Sequence, residues 1–137
     1  MTKQNQTYSK EEKLKAKKLI DELFITGKSV SKYPLRLVYI EVNDQDAPPL
    51  QTGVSVSKRH FKKAVDRNYY KRLLRECYRK NKTLILDHVD QKFAMMLFYQ
   101  TKDRLTYQEV EYKMKALFEK FVRQHQQTTP ESDNKTI

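Results

Sequence analysis

Arg67, Lys71, Arg75 and Arg79 follow one another at four-residue intervals, with Asn68 and Arg72 beside them. A guanidinium is a planar fork of donors that suits bidentate contact with phosphate and stacking on a base, so a row of them is chemistry for a polyanion. The row is the densest part of a larger concentration. In "SKRHFKKAVDRNYYKRLLRECYRKNK", Ser57 to Lys82, eleven Lys and Arg stand against two acids, Asp66 and Glu76, and supply nine of the chain's formal +11. Lys58, Arg59, Lys62 and Lys63 lead into the row, and Lys80 and Lys82 close it. Like charges at i, i+4 oppose helix formation by about 0.2–0.5 kcal/mol per pair. A helix that had only to be soluble would alternate signs.

The segment from about Ala64 to Lys82 contains neither Gly nor Pro and reads as one helix. On a helical wheel Val65, Tyr69, Leu73 and Cys77 share a face widened by Tyr70 and Leu74, and the cationic row lies opposite. A membrane-surface helix is also basic and amphipathic, but it exposes its apolar side to lipid. Here that side is needed to cover a sheet, which favours nucleic acid. Nine Tyr and six Phe offer stacking surfaces for unpaired bases, although core packing is the default role for most of them.

The remaining elements form the support. Ser9 and Glu12 make a capping box, and Leu14, Leu19, Ile20, Leu23 and Phe24 follow at helical spacing up to Gly27, which predicts a helix over 10–26. "PLRLVYIEVN" and "LQTGVSVSK" read as strands separated by the turn-forming "DQDAPP", and neither face of the first is clearly solvent. "KFAMMLFYQ", Lys92 to Gln100, is an almost unbroken apolar run suited to a buried central strand. Thr106 and Glu109 form a second capping box, opening a helix that carries Tyr107, Val110, Met114, Leu117, Phe118, Phe121 and Val122. The expected organisation is a flexible 1–9, a single domain over 10–125 and a disordered tail over 126–137, with one core for 137 residues.

A lone cysteine, Cys77, excludes an internal disulfide, and no Cys/His cluster exists for zinc. A reduced, cytoplasmic setting is expected, and Cys77, on an apolar helix face, reads as a core residue. No apolar run approaches the length of a membrane span, so a soluble protein without a membrane partner is expected. Intrinsic nuclease chemistry is a poor fit. Two-metal cleavage needs converging carboxylates, whereas Asp21, Glu22, Glu41, Asp44, Asp46, Asp66, Glu76, Asp87 and Asp90 are scattered, and His60, His88 and His125 form no acid/base motif.

"GVSVSKRHFKKAVDRNYYKRLLRE", Gly53 to Glu76, resembles the central motif of the bacterial ribonuclease P protein family, a Ser-Lys-containing strand running into a helix marked Arg-Asn-Arg-x-x-Lys-Arg. "ELFITGKSV" before it and "LTYQEVEYKMKALF" after it sit in the family order, so the likeness runs from Leu14 to near Arg123. The resemblance implies an α/β fold, an α+β two-layer sandwich: a mixed sheet of about four strands with three helices in the order α-β-β-(β)-α-β-α, the basic helix lying in a left-handed βαβ crossover. It also implies a partner, a catalytic RNA that removes the 5′ leader of precursor tRNA with magnesium bound mainly through the RNA, and a free protein that is monomeric.

Carried over by position, Arg67, Asn68, Lys71, Arg72 and Arg75 face the catalytic RNA, and Lys58, Arg59, Lys62, Lys63 and Arg79 extend that surface. Helix one and a sheet face form a cleft for the single-stranded leader, with Phe24, Tyr39, Ser55, Ser57 and Tyr99 along it. Some positions depart from the family. Tyr69 replaces the Arg that usually follows Arg-Asn and falls on the inward side of the wheel, "HFKK" replaces a Gly-containing turn, Ile20 replaces an aromatic, and Tyr99 stands where the third strand usually ends on a basic residue. A general RNA chaperone or ribosome-associated protein, and a stand-alone nuclease, are the rival readings.

Overall fold

The structure is a computed structural model that describes residues 13–14 and 16–126. Its elements are α1 (Lys17–Thr26), β1 (Lys28–Lys32), β2 (Leu35–Val42), β3 (Leu50–Val56), α2 (Ala64–Asn81), the single turn α3 (Thr83–Leu86), β4 (Lys92–Tyr99) and α4 (Tyr107–Gln126). The sheet order is β1-β2-β4-β3, with β1–β2 and β2–β4 antiparallel and β3–β4 parallel. The apolar run of β4 therefore fills a position paired on both edges. A parallel neighbour requires a crossover, and α2 with α3 supplies it.

Strand alternation sorts the sheet into two faces. Leu35, Leu37 and Tyr39 of β2 and Phe93, Met95, Leu97 and Tyr99 of β4 meet Tyr70, Leu74, Cys77 and Tyr78 of α2 and Val110, Met114, Leu117, Phe118 and Phe121 of α4 in the main core. On the opposite face Val38 and Ala94 pack with Leu14 and Leu23, flanked by Ile20, Ile40, Met96 and Phe98. Both faces of β2 are thus needed for packing, and α1 covers its side incompletely.

One expectation is corrected. The first helix begins at Lys17, not near residue 10: Lys13 forms a parallel bridge with Thr52, and the Leu14 N–H donates to the Thr52 carbonyl at 3.2 Å. The outer edge of β3 offers unpaired backbone groups, and pairing with them wins over helix propensity there. The Ser9–Glu12 capping box and the N-terminal segment 1–9 lie outside the described residues, as does the tail beyond Gln126, which is itself the last residue of α4. The fourth strand is β1, "KSVSK", in which only Val30 is buried. One buried side chain in five leaves no period to read. The Thr106–Glu109 capping box forms as expected, with the Glu109 N–H donating to Thr106 Oγ1 at 3.1 Å and the Thr106 N–H to Glu109 Oε1 at 2.8 Å.

α1 stops at Gly27, whose N–H donates to the Leu23 carbonyl at 3.0 Å. A Cβ at Gly27 would collide with that carbonyl oxygen and lie 2.7 Å from Val38 Cγ1. Gly27→Ala is expected to destabilise the fold by about 1–3 kcal/mol, read as a lower urea midpoint at unchanged m-value.

His125, at the end of α4, packs against Tyr39, Phe93 and Phe121 beside a cavity of about 270 Å³ that Glu22, Lys28 and Glu41 also line. Burial pushes its pKa below the ordinary 6.5, Glu41 opposes that shift, and Lys28 adds to it. Above about pH 6.5 the ring is neutral in both states; below it the unfolded chain takes up a proton that the folded chain resists. Stability is therefore expected to fall as the pH drops below about 6.5, and His125→Phe to lose most of that dependence in urea titrations.

Candidate nucleic-acid interface

The turn between β3 and α2 is built on Ser57. Its carbonyl accepts from the N–H groups of His60 and Phe61 at 3.2 and 3.1 Å, and its Oγ accepts from the Arg59 N–H at 2.8 Å. No described residue takes a positive φ, so "HFKK" replaces a Gly-containing turn without strain. Phe61 is the anchor. It is buried and stacks on Tyr70 at 4.8 Å with 21° between the rings, and Tyr70 stacks in turn on Tyr99 at 4.9 Å and 27°. With Phe61 inside, Lys58, Arg59, Lys62 and Lys63 are all exposed.

The buried stripe of α2 is Tyr70, Leu74, Cys77, Tyr78 and Asn81. The wheel reading is corrected here: Val65 is 70% and Tyr69 55% exposed, so both lie outside. Steps of four residues advance about 40° beyond a full turn, and a series of three steps sweeps about 120°. Val65-Tyr69-Leu73-Cys77 thus crosses from solvent to core instead of following one face. The cationic row sweeps likewise, from half-buried Arg67 and Lys71 to exposed Arg75.

That sweep gives each cation a different job. Arg67 is half-buried, and its Nη1 donates to the carbonyls of Phe61 and Lys62, both at 2.9 Å, tying the turn to the helix start. Lys71 is half-buried, whereas Asn68, Arg72 and Arg75 are exposed. Arg75 lines a notch of about 270 Å³ with Lys13, Thr52 and Gly53 at the β3 edge. Arg79 is held by Glu76 at 2.7 and 3.3 Å, and this contact keeps the Glu76 carboxyl below its usual range. Asp66 pairs with Arg104 at 3.3 Å. Both acids of the segment therefore face cations of their own, and neither neutralises Arg72 or Arg75.

A second surface lies on the α1 side. Strand register sets Ser31, Arg36, Phe98 and Ser55 in one row across the sheet. Phe24, 61% exposed, meets Phe98 edge-on at 6.3 Å. Phe24 and Ser55 thus lie on one face, each beside Phe98, and Ser57, exposed, follows β3. Tyr39 and Tyr99 are corrected. They are 6% and 1% exposed on the opposite face: the Tyr39 hydroxyl donates to Gln124 Oε1 at 3.3 Å, and the Tyr99 hydroxyl donates to the Asp103 carbonyl and accepts from the Leu105 N–H. Burial raises the pKa of both, that of Tyr99 to about 12. Phe98 and Arg36 take their places beside α1. Parity along β2 and β4 carries that signal, because Phe24 needs neighbours in phase with Val38 and Ala94.

Cys77 is buried in the main core, and burial first, then the nearby Glu111 and Glu76, push its thiol up to about 12, far from a nucleophile's range. Among the described residues no three of His, Cys, Asp and Glu come together to hold a metal ion.

The ribonuclease P family model matches residues 8–122. The chain belongs to the ribonuclease P protein family. It is 39% identical over 99 residues to the ribonuclease P protein component of Porphyromonas gingivalis, covering 71% of this chain and 72% of that one. The counterpart from Chlorobium phaeobacteroides is also 39% identical, over 85 residues, 60% of this chain and 58% of that one. The fold is that of solved ribonuclease P proteins: the Thermotoga maritima protein superposes with a TM-score of 0.65 at 23% identity over 80% of this chain and 96% of that one. For Staphylococcus aureus ribonuclease P protein the TM-score is 0.64 at 19% identity, over 79% and 93%.

Within this ribonuclease P framework the cations separate by experiment. Arg72→Ala with Arg75→Ala is expected to weaken binding to a structured RNA and to flatten its log–log salt slope by roughly 0.7–0.9 per lost phosphate contact, at unchanged melting temperature. Arg67→Ala is expected to lower the denaturation midpoint as well, by about 1 kcal/mol or more, because two charge-assisted bonds are lost from the turn.

Proposed function

We propose that the Ser57–Lys63 turn and the outer side of α2 bind the catalytic RNA of ribonuclease P, while the cleft beside α1 receives the single-stranded 5′ leader of precursor tRNA. The observation that carries this reading is the exposed arc of Lys58, Arg59, Lys62, Lys63, Arg72 and Arg75, whose nearest acids in sequence, Asp66 and Glu76, are engaged elsewhere. Such an arc offsets phosphate repulsion when a folded RNA approaches and makes association depend steeply on salt. Phe98 and Phe24 supply apolar surface on which unpaired bases can stack, and Arg36 and Ser55 supply donors beside it.

In this reading the RNA carries the chemistry and the magnesium, and the protein raises the local concentration and fixes the path of the leader. The described residues offer no three-residue metal cluster of their own, so no step of cleavage is assigned to a side chain. The test is cleavage of a 5′-extended precursor tRNA at low millimolar magnesium with the catalytic RNA, the protein, or both. Cleavage that depends on the combination is the expected result. Cleavage by the protein alone, or no gain from adding it, overturns the proposal.

A further inference from the structure

Tyr69 is an unusual residue to leave in water. It is 55% exposed beside the cationic arc, Val65 one turn earlier is 70% exposed, and on the same side of the helix Arg72 at i+3 is exposed while Asp66 at i−3 is paired with Arg104. Nothing in the fold requires an aromatic there, because the buried stripe of α2 runs through Tyr70, Leu74 and Cys77. Yet the ring has a firm neighbour. It meets Tyr70 edge-on at 4.8 Å and 85°, and Tyr70 belongs to a buried three-ring cluster with Phe61 and Tyr99. Tyr69 thus rests on one side against the buried core, and much of the rest of the side chain is open to solvent.

We infer that Tyr69 is a stacking platform for an unpaired base of the RNA, with Arg72 and Asn68 holding the adjoining backbone, an inference that rests on the RNA-binding reading of α2. The chemistry favours a base over a phosphate, since a phenol ring carries no charge to neutralise a phosphate and has a π-face that suits any nucleobase. A protein surface would also cover an exposed Tyr and Val, but Arg72 at i+3 and the pairing of Asp66 and Glu76 with other cations favour a polyanion. Resting on Tyr70 limits the rotamers that Tyr69 loses on binding, which is the economy of a preorganised site. The consequence is a division of labour along α2: Arg72 and Arg75 give affinity that salt weakens, and Tyr69 gives affinity that salt leaves alone and that requires a base out of its helix.

The test is a salt titration of catalytic-RNA binding for the full chain and for Tyr69→Ala, Tyr69→Phe and the double change Arg72→Ala with Arg75→Ala. Unchanged thermal unfolding shows that each variant folds. Tyr69→Ala is expected to weaken binding about 5- to 140-fold with the wild-type salt slope, and Tyr69→Phe to stay within about twofold. RNA carrying 5-iodouridine at unpaired positions is expected to photocrosslink to Tyr69, located by peptide mass spectrometry. If Tyr69→Ala binds like wild type while the double Arg variant loses affinity and slope, the stacking inference is overturned and the interface stands. If the double Arg variant is also unaffected, the RNA-binding reading of α2 fails with it.

Discussion

Tyr70, packed in a three-ring cluster with Phe61 and Tyr99, is the contact on which the orientation of the basic helix depends. A helix with this much charge has little apolar surface, so its rotation about its own axis is set by the few side chains that must be buried. Tyr70 at one end and the Cys77–Tyr78 pair near the other fix it. Phe61 brings the preceding turn down onto the same cluster, and from that single decision follow the outward cations of the turn, the exposed ring of Tyr69 and the half-buried setting of Arg67.

The acids are placed as consistently as the bases. Asp66 reaches Arg104 in the loop before α4, whose guanidinium also lies over the Phe61 ring at 5.4 Å. Glu76 is taken by Arg79 within the helix. Exposed pairs of this kind contribute little stability. Their effect is on the field, because each removes one negative charge from the neighbourhood of Arg72 and Arg75 without consuming either of them.

Much of this was legible in the residues. The unbroken run of β4, the second capping box and the limits of α2 depend on local pattern, and local pattern decides them. What failed was phase. A four-residue series looks like a face when it spans two turns and ceases to be one over four, which is why Tyr69 was expected inside. Tyr39 and Tyr99 were expected beside Phe24, although the strand parity that puts Val38 and Ala94 under α1 turns both tyrosines to the other side. The start of α1 and the strand β1 were hidden for a different reason: both are decided by pairing with a distant sheet edge, and nothing in the segments themselves announces it.

The cluster around Tyr70 also has a meaning in time. One partner, Phe61, precedes it in the chain, but the other, Tyr99, closes β4, the strand that the whole crossover must pass before it can pair with β3. While α2 is being synthesised its like charges repel and the surface that should orient it does not yet exist. The cationic arc is therefore a late product of folding: a nascent chain passes through a stage at which all of the arc's basic residues are present and none is yet aimed.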